Sequence, residues 1–97
     1  MDFKVIFLPA FDEDLAEIVS TISLHNRDAA INLGNKILNI GGSLKSFPER
    51  HRTVPRRPQV RRYIVAKHFQ IFYRVDHNRK VVEILRCWDG RRGSTPF

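Results

Sequence analysis

The 97-residue chain reads as an α+β domain: a strand, a helical hairpin and then a three-stranded antiparallel meander (β-α-α-β-β-β), with both helices on one face of a mostly antiparallel sheet. Three features carry this reading. An opening run of β-branched and aromatic residues ends at a proline, two later stretches place apolar residues at spacings of three and four, and three sheet-like runs are joined by connections of two and four residues. A chain of 11.4 kDa with 42% hydrophobic residues fills one small core, so residues 1–97 are expected to form a single domain.

Phe3-Lys4-Val5-Ile6-Phe7-Leu8 has the composition of a buried strand, and Pro9 is expected to break the chain after it. The stripe Phe11, Leu15, Ile18, Val19 and Ile22 predicts the first helix. Asp12, Glu13 and Asp14 fall in its first turn, where carboxylates complement the positive end of the helix dipole. His25-Asn26-Arg27-Asp28 interrupts the stripe, with Asn26 suited to a left-handed C-terminal position and Asp28 to an N-cap. Ala30, Leu33, Ile37, Ile40, Leu44 and Phe47 then predict a second helix of about five turns. Gly34, Gly41 and Gly42 are poor helix formers and read as weak spots in it, close packing on the sheet being the less favoured alternative.

Residues 48–59 hold three prolines and four arginines and are expected to form an exposed basic loop. Strands are expected over residues 60–66, 69–75 and 80–88. In the middle one, alternation sends Phe69, Ile71, Tyr73 and Val75 towards the helices and His68, Gln70, Phe72 and Arg74 to the opposite, uncovered face. Residues 89–97, without apolar periodicity, are expected to be an exposed basic tail.

Charge is unevenly placed. Residues 1–47 carry four Lys and Arg against six Asp and Glu, a net −2, whereas residues 48–97 carry thirteen against four, a net +9. Twelve of the seventeen cations are arginines, whose planar guanidinium pairs bidentately with phosphate and carboxylate. A polyanionic partner therefore outranks a merely solvated basic surface, and Trp88 and Tyr63 are candidates for stacking beside the arginines. No recognisable helix-turn-helix, zinc finger or aromatic RNA-binding strand motif points to sequence-specific reading.

RNA cleavage by a 2′-hydroxyl would need a base and an acid, for which His51, His68, His77, Glu49 and Asp89 are the available groups, none with a convincing partner in sequence. Cys87, alone, forms no internal disulfide, is expected to be buried in a strand rather than act as a nucleophile, and completes no local metal-ligand spacing; no metal or other cofactor is expected. With no apolar run of membrane length and no secretory leader at Met1-Asp2-Phe3-Lys4, a cytoplasmic location without a membrane partner is expected.

The order of elements resembles the RelE/ParE superfamily of type II toxins. The likeness rests on the strand ending in Pro9, the Asp14-Leu15 and Ile18 stripe, Phe47-Pro48-Glu49, His68-Phe69-Gln70-Ile71-Phe72-Tyr73-Arg74-Val75-Asp76 and Val82-Glu83-Ile84-Leu85-Arg86. One branch, resembling RelE, cuts messenger RNA on the ribosome with basic strand residues and a late tyrosine or histidine. Here Gln70 follows Phe69 where such nucleases tend to carry arginine, and no Tyr or His follows Trp88, Phe97 being the only late aromatic. The other branch, resembling ParE, poisons DNA gyrase and does not use those residues.

The resemblance thus implies a gyrase-poisoning toxin that is not an enzyme, with Arg61, Arg62, Arg74, Arg86, Trp88, Arg91 and Arg92 as candidate contacts. The alternatives are a metal-independent, ribosome-dependent endoribonuclease drawing on Glu49, His68, Arg86 and Arg91, and a non-toxic RNA-binding module. It also implies a toxin–antitoxin hetero-oligomer, in which an antitoxin's acidic amphipathic segment orders on the basic surface.

Overall fold

A computed structural model describes residues 2–97. Strand β1 (Lys4–Phe7) leads almost directly into helix α1 (Pro9–Ser23), so Pro9 opens the helix instead of separating it from the strand. Its fixed φ suits a first helical position, and its missing N–H is one the helix would leave unpaired. This earlier start leaves only Asp12 of the three acids in the first turn and moves Asp14 into the second, facing the sheet.

Helix α2 (Arg27–Ser43) is capped by Asn26, whose side-chain oxygen accepts from the Ala29 N–H at 3.0 Å. Asn26 has an extended backbone, φ −158°, so it is neither left-handed nor the end of α1, and Asp28 lies in the first turn. The helix stops at Ser43, short of Phe47, which takes a left-handed φ of 48° and is 85% exposed. Arg50 folds back to donate to the Ser43 and Ser46 carbonyls at 3.3 and 2.8 Å, pairing acceptors released by the helix end. The buried glycines of α2 are sites of close approach, contrary to expectation: a Cβ on Gly41 would sit 2.9 Å from the Phe7 ring, and one on Gly34 3.3 Å from Val19.

Residues 48–59 are not a loop throughout. A 3₁₀ turn (Pro48–Arg50) precedes a two-residue strand β2 (Thr53–Val54), and β3 begins at Arg57 and runs to Val65. Pro48 and Val54 are buried. Prolines bar helix, but they are compatible with an edge strand and with the opening residues of a strand. Strands β4 (Phe69–Asp76) and β5 (Val81–Asp89) complete a sheet of order β1-β5-β4-β3-β2, in which β1 pairs parallel to β5 and all other pairs are antiparallel.

The main core lies between this sheet and the hairpin, where Phe11, Leu15, Ile37 and Leu44 meet Tyr63, Val65, Ile71, Tyr73, Val82, Ile84 and Cys87. Ile71, Tyr73 and Val75 all pack there, as alternation requires. At β5 the register slips: Phe72 faces Arg86 but Tyr73 faces Ile84, leaving Leu85 as an extra, bulged residue. β1 ends opposite Ile84, so the outer edge of β5 beyond the bulge is met by α1.

The far face of the sheet carries a smaller apolar cluster of Val54, Val60 and Phe72, with Leu85, Trp88 and Phe97 against it. Residues 91–95 are exposed, but the tail then returns, with the Phe97 ring 5.1 Å from that of Phe72. The tail is thus not wholly exposed, nor that face wholly bare: the partly buried Phe97 ring and the Trp88 indole N–H donating to the Ser94 carbonyl both tie the segment to the sheet.

Candidate functional site

Strand register arranges the far face in rows. Arg62, Phe72 and Arg86 lie side by side across β3, β4 and β5; Ile64, Gln70 and Trp88 form the next row; Arg74 stands beside Glu83. Arg62 donates to the Gln70 side-chain oxygen at 3.3 Å. Arg74 donates through Nε to Glu83 at 3.0 Å and through Nη2 to the same oxygen. Trp88 lies between two guanidinium groups, Arg92 at 4.3 Å and Arg86 at 5.8 Å from its ring centroid, and its indole N–H donates to the Ser94 carbonyl. Between these rows and the returning tail is a cavity of about 590 Å³ lined by Arg57, Gln59, Val60, Arg74, Leu85, Arg86, Pro96 and Phe97.

Arg86 is positioned from behind. Its Nε and Nη2 donate to the two Asp14 oxygens at 2.6 and 3.0 Å, and the same carboxylate accepts from the Cys87 backbone N–H at 3.1 Å. Asp14 therefore takes over the acceptor role that β1 would play if it continued along β5, and fixes α1 to the sheet edge. These hydrogen bonds raise the Arg86 pKa above the ordinary guanidinium range, so the group stays cationic. With Nε and Nη2 committed, Arg86 offers its remaining edge outward.

Arg61 and Arg91, candidates from sequence, are separated from this group. Arg61 points to the helix side, where Nη1 donates to the Glu49 and His51 carbonyls at 3.2 and 2.7 Å and Nη2 lies 3.6 Å from the Glu49 carboxylate. It pins the 3₁₀ turn to β3. Glu49 also sits 3.4 Å from His77 Nε2, and both line a cavity of about 260 Å³ with Arg61 and Arg74. Arg91 is tied to Asp89 by Nε and Nη2 bonds of 3.0 and 2.9 Å, which hold the Asp89 carboxyl below the usual range. This pair borders a cleft between β5 and α1, floored by Ile18, Ile22, Phe69 and Cys87.

The groups able to exchange protons are scattered. His68 is exposed at the β3–β4 turn, where its carbonyl accepts from Gly90 N–H at 2.6 Å. His51 packs 5.2 Å from the Tyr63 ring and edge-on to Tyr73; its Nε2 is buried without a partner, and burial together with Arg50 lowers its pKa. Tyr73 donates to the Pro48 carbonyl at 2.6 Å, and burial raises the pKa of both tyrosines. Cys87 is 2% exposed and its thiol is pushed up to about 12, foremost by burial, so it remains protonated.

Arg62, Arg74, Arg86, Trp88 and Arg92 are thus gathered on one face. Asp14, Arg57 and Phe97 belong to the same region without having been singled out as site residues. Period two puts Arg57 in phase with Arg61 and Tyr63, on the helix side, so its place beside the far-face cavity was not legible in the strand pattern, whereas a lone aromatic in a polar tail marked Phe97. Nothing local marks Asp14, whose partner is 72 residues away.

The sequence matches the family described as ParE toxin of type II toxin–antitoxin system, parDE, over residues 5–93. Among solved structures, a chain of the chromosomal ParDE system from P. aeruginosa superposes with a TM-score of 0.74 at 20% identity, covering 90% of this chain and 95% of that one. A chain of the toxin–antitoxin complex RelBE2 from Mycobacterium tuberculosis gives 0.60 at 21% identity, covering 92% and 99%. No curated protein matches. The two structural likenesses establish a shared fold, and the family match extends over the strand, the hairpin and the arginine-bearing sheet alike; the chain belongs to the ParE toxin family of type II toxin–antitoxin systems.

Proposed function

We propose that this toxin arrests growth by binding DNA gyrase through the arginine face of its sheet, without cleaving RNA. The observation that carries the reading is the make-up of that face. Its cations are guanidinium groups, which bind anions but do not accept protons at neutral pH, while His51, His68 and His77 lie under the tyrosines, at a turn and beside Glu49. Such a surface is built for binding. The toxin works in the cytoplasm, and in unarrested cells an antitoxin with an acidic, amphipathic segment covers the surface to which residues 48–97 contribute their net +9. Among residues 2–97 no helix is long and apolar enough to cross a membrane. Purified toxin is expected to block supercoiling by gyrase or to trap cleaved DNA. A flat supercoiling assay with protein that still arrests growth overturns the reading.

One arrangement favours the ribosome-dependent endoribonuclease as a second reading: Glu49 and His77 form an acid–base pair beside Arg61 and Arg74 in one cavity. New 5′ ends on translated mRNA, found by primer extension and lost in Glu49→Gln, would select it. A non-toxic RNA-binding module predicts no growth arrest when the chain is expressed without a partner.

A further inference from the structure

The arginine face has aromatic residues, yet it does not offer them. Phe72, at its centre, is fully buried beneath Phe97, and Trp88 is half-buried, with the guanidinium groups of Arg86 and Arg92 over its ring and its N–H already donated to Ser94. Unpaired bases are held on exposed rings, whereas a duplex, whose bases are already stacked, is held by cations on its phosphates. Arg74 and Arg86 are each held along one edge by a carboxylate and thereby oriented at little further entropic cost. Arg57, Arg62 and Arg92 have no carboxylate within 4 Å among the described residues, and leave the face with excess positive charge.

We infer that this face binds the phosphate backbone of duplex DNA, so that the toxin engages gyrase together with the DNA gyrase holds. The inference rests on the gyrase reading for its setting, but the DNA site stands on its own geometry. Recognition is independent of base sequence, because the free donors are guanidinium groups on or beside sheet strands, which pair with phosphate oxygens common to every sequence.

The test uses the full-length purified toxin and labelled oligonucleotides: a short DNA duplex, its single strand, and an RNA of the same sequence. Neutralising three phosphates through Arg57, Arg62 and Arg92 gives a slope of log K against log salt of about −2.7, or a roughly 40-fold loss of duplex affinity from about 50 to 200 mM salt. Each of Arg57→Gln, Arg62→Gln and Arg92→Gln is expected to reduce that slope by about 0.9. Arg27→Gln with Lys36→Gln, on the helix side, is expected to leave it unchanged.

Absence of salt-sensitive duplex binding, tighter binding of the single strand or the RNA, or an unchanged slope in the triple variant overturns the inference. The triple variant is checked by its urea midpoint, and the three single variants, each removing one exposed or half-exposed charge, supply the same reading should it fail to fold. Supercoiling assays separate the two ideas. Full inhibition by a triple variant that no longer binds duplex rejects the engagement of gyrase-held DNA through this site and leaves the gyrase reading intact; duplex binding by wild type without any inhibition does the reverse.

Discussion

Asp14→Ala removes one carboxylate that serves three donors from the far end of the chain: Arg86 Nε, Arg86 Nη2 and the Cys87 N–H. Hydrogen bonds involving a charged group contribute about 1.5–3 kcal/mol each, but the Asp14 and Arg86 side chains retain 17% and 33% exposure, so water takes over part of the loss. The pair thus falls between an exposed ion pair, at about 0–1 kcal/mol, and a buried one, whose disruption costs about 3–5 kcal/mol. Alanine recovers about 0.5 kcal/mol through its better helix propensity. The expected net loss is about 2 kcal/mol, which for a domain of this size is roughly 8–16 °C in Tm.

Urea unfolding of wild type, Asp14→Ala, Arg86→Ala and the double variant measures it. A double-mutant cycle is expected to return a coupling of about 1–2 kcal/mol, and Asp14→Asn, which keeps an acceptor for the Cys87 N–H, about half the single-variant loss. A loss below about 0.5 kcal/mol, or additive single variants, would refute the claim that this carboxylate joins α1 to β5.

Gly41→Ala is expected to destabilise by about 1–2 kcal/mol, since its Cβ would press to 2.9 Å on the Phe7 ring, whereas Gly42→Ala, with nothing within 4 Å, should gain about 0.5–1 kcal/mol; thermal melts of the pair distinguish close packing from helix weakness. His51 titrates in the direction of acid lability. Its folded pKa is lowered, so the unfolded chain binds the proton more readily, and stability present above the ordinary value of 6.5 is lost as pH falls through the folded value. The urea midpoint should therefore fall between about pH 7.5 and pH 5, and less steeply in His51→Phe. Cys87, buried with its thiol near 12, should resist thiol reagents in the native protein and react fully once unfolded; rapid native labelling would contradict the burial. Tyr73→Phe leaves the buried Pro48 carbonyl without its donor and should cost about 1–2 kcal/mol, read from the same urea curves.

Local signals carried far where the physics was local. Alternation in β4 assigned Ile71, Tyr73 and Val75 to the core, and spacings of three and four located both helices. The misplaced boundaries share a cause. Pro9 and Asn26 each suit two neighbouring positions of a helix terminus, and the choice depends on which backbone groups find partners. Prolines and arginines in residues 48–59 concealed a strand because β2 is held by its pairing with β3, while its own composition argues for a loop.

Composition, periodicity and charge order were enough to establish the class of fold, the two faces of β4 and the basic character of residues 48–97, because each depends on residues near one another in the chain. Which arginines would share a surface depended on strand register and on one bulge at Leu85. Folding turned Arg61 inward to the 3₁₀ turn, tied Arg91 to Asp89, and brought Asp14 across 72 residues to orient Arg86. Electrostatic and hydrogen-bonding partners are chosen by distance in space, and that distance exists only once the sheet and hairpin have packed.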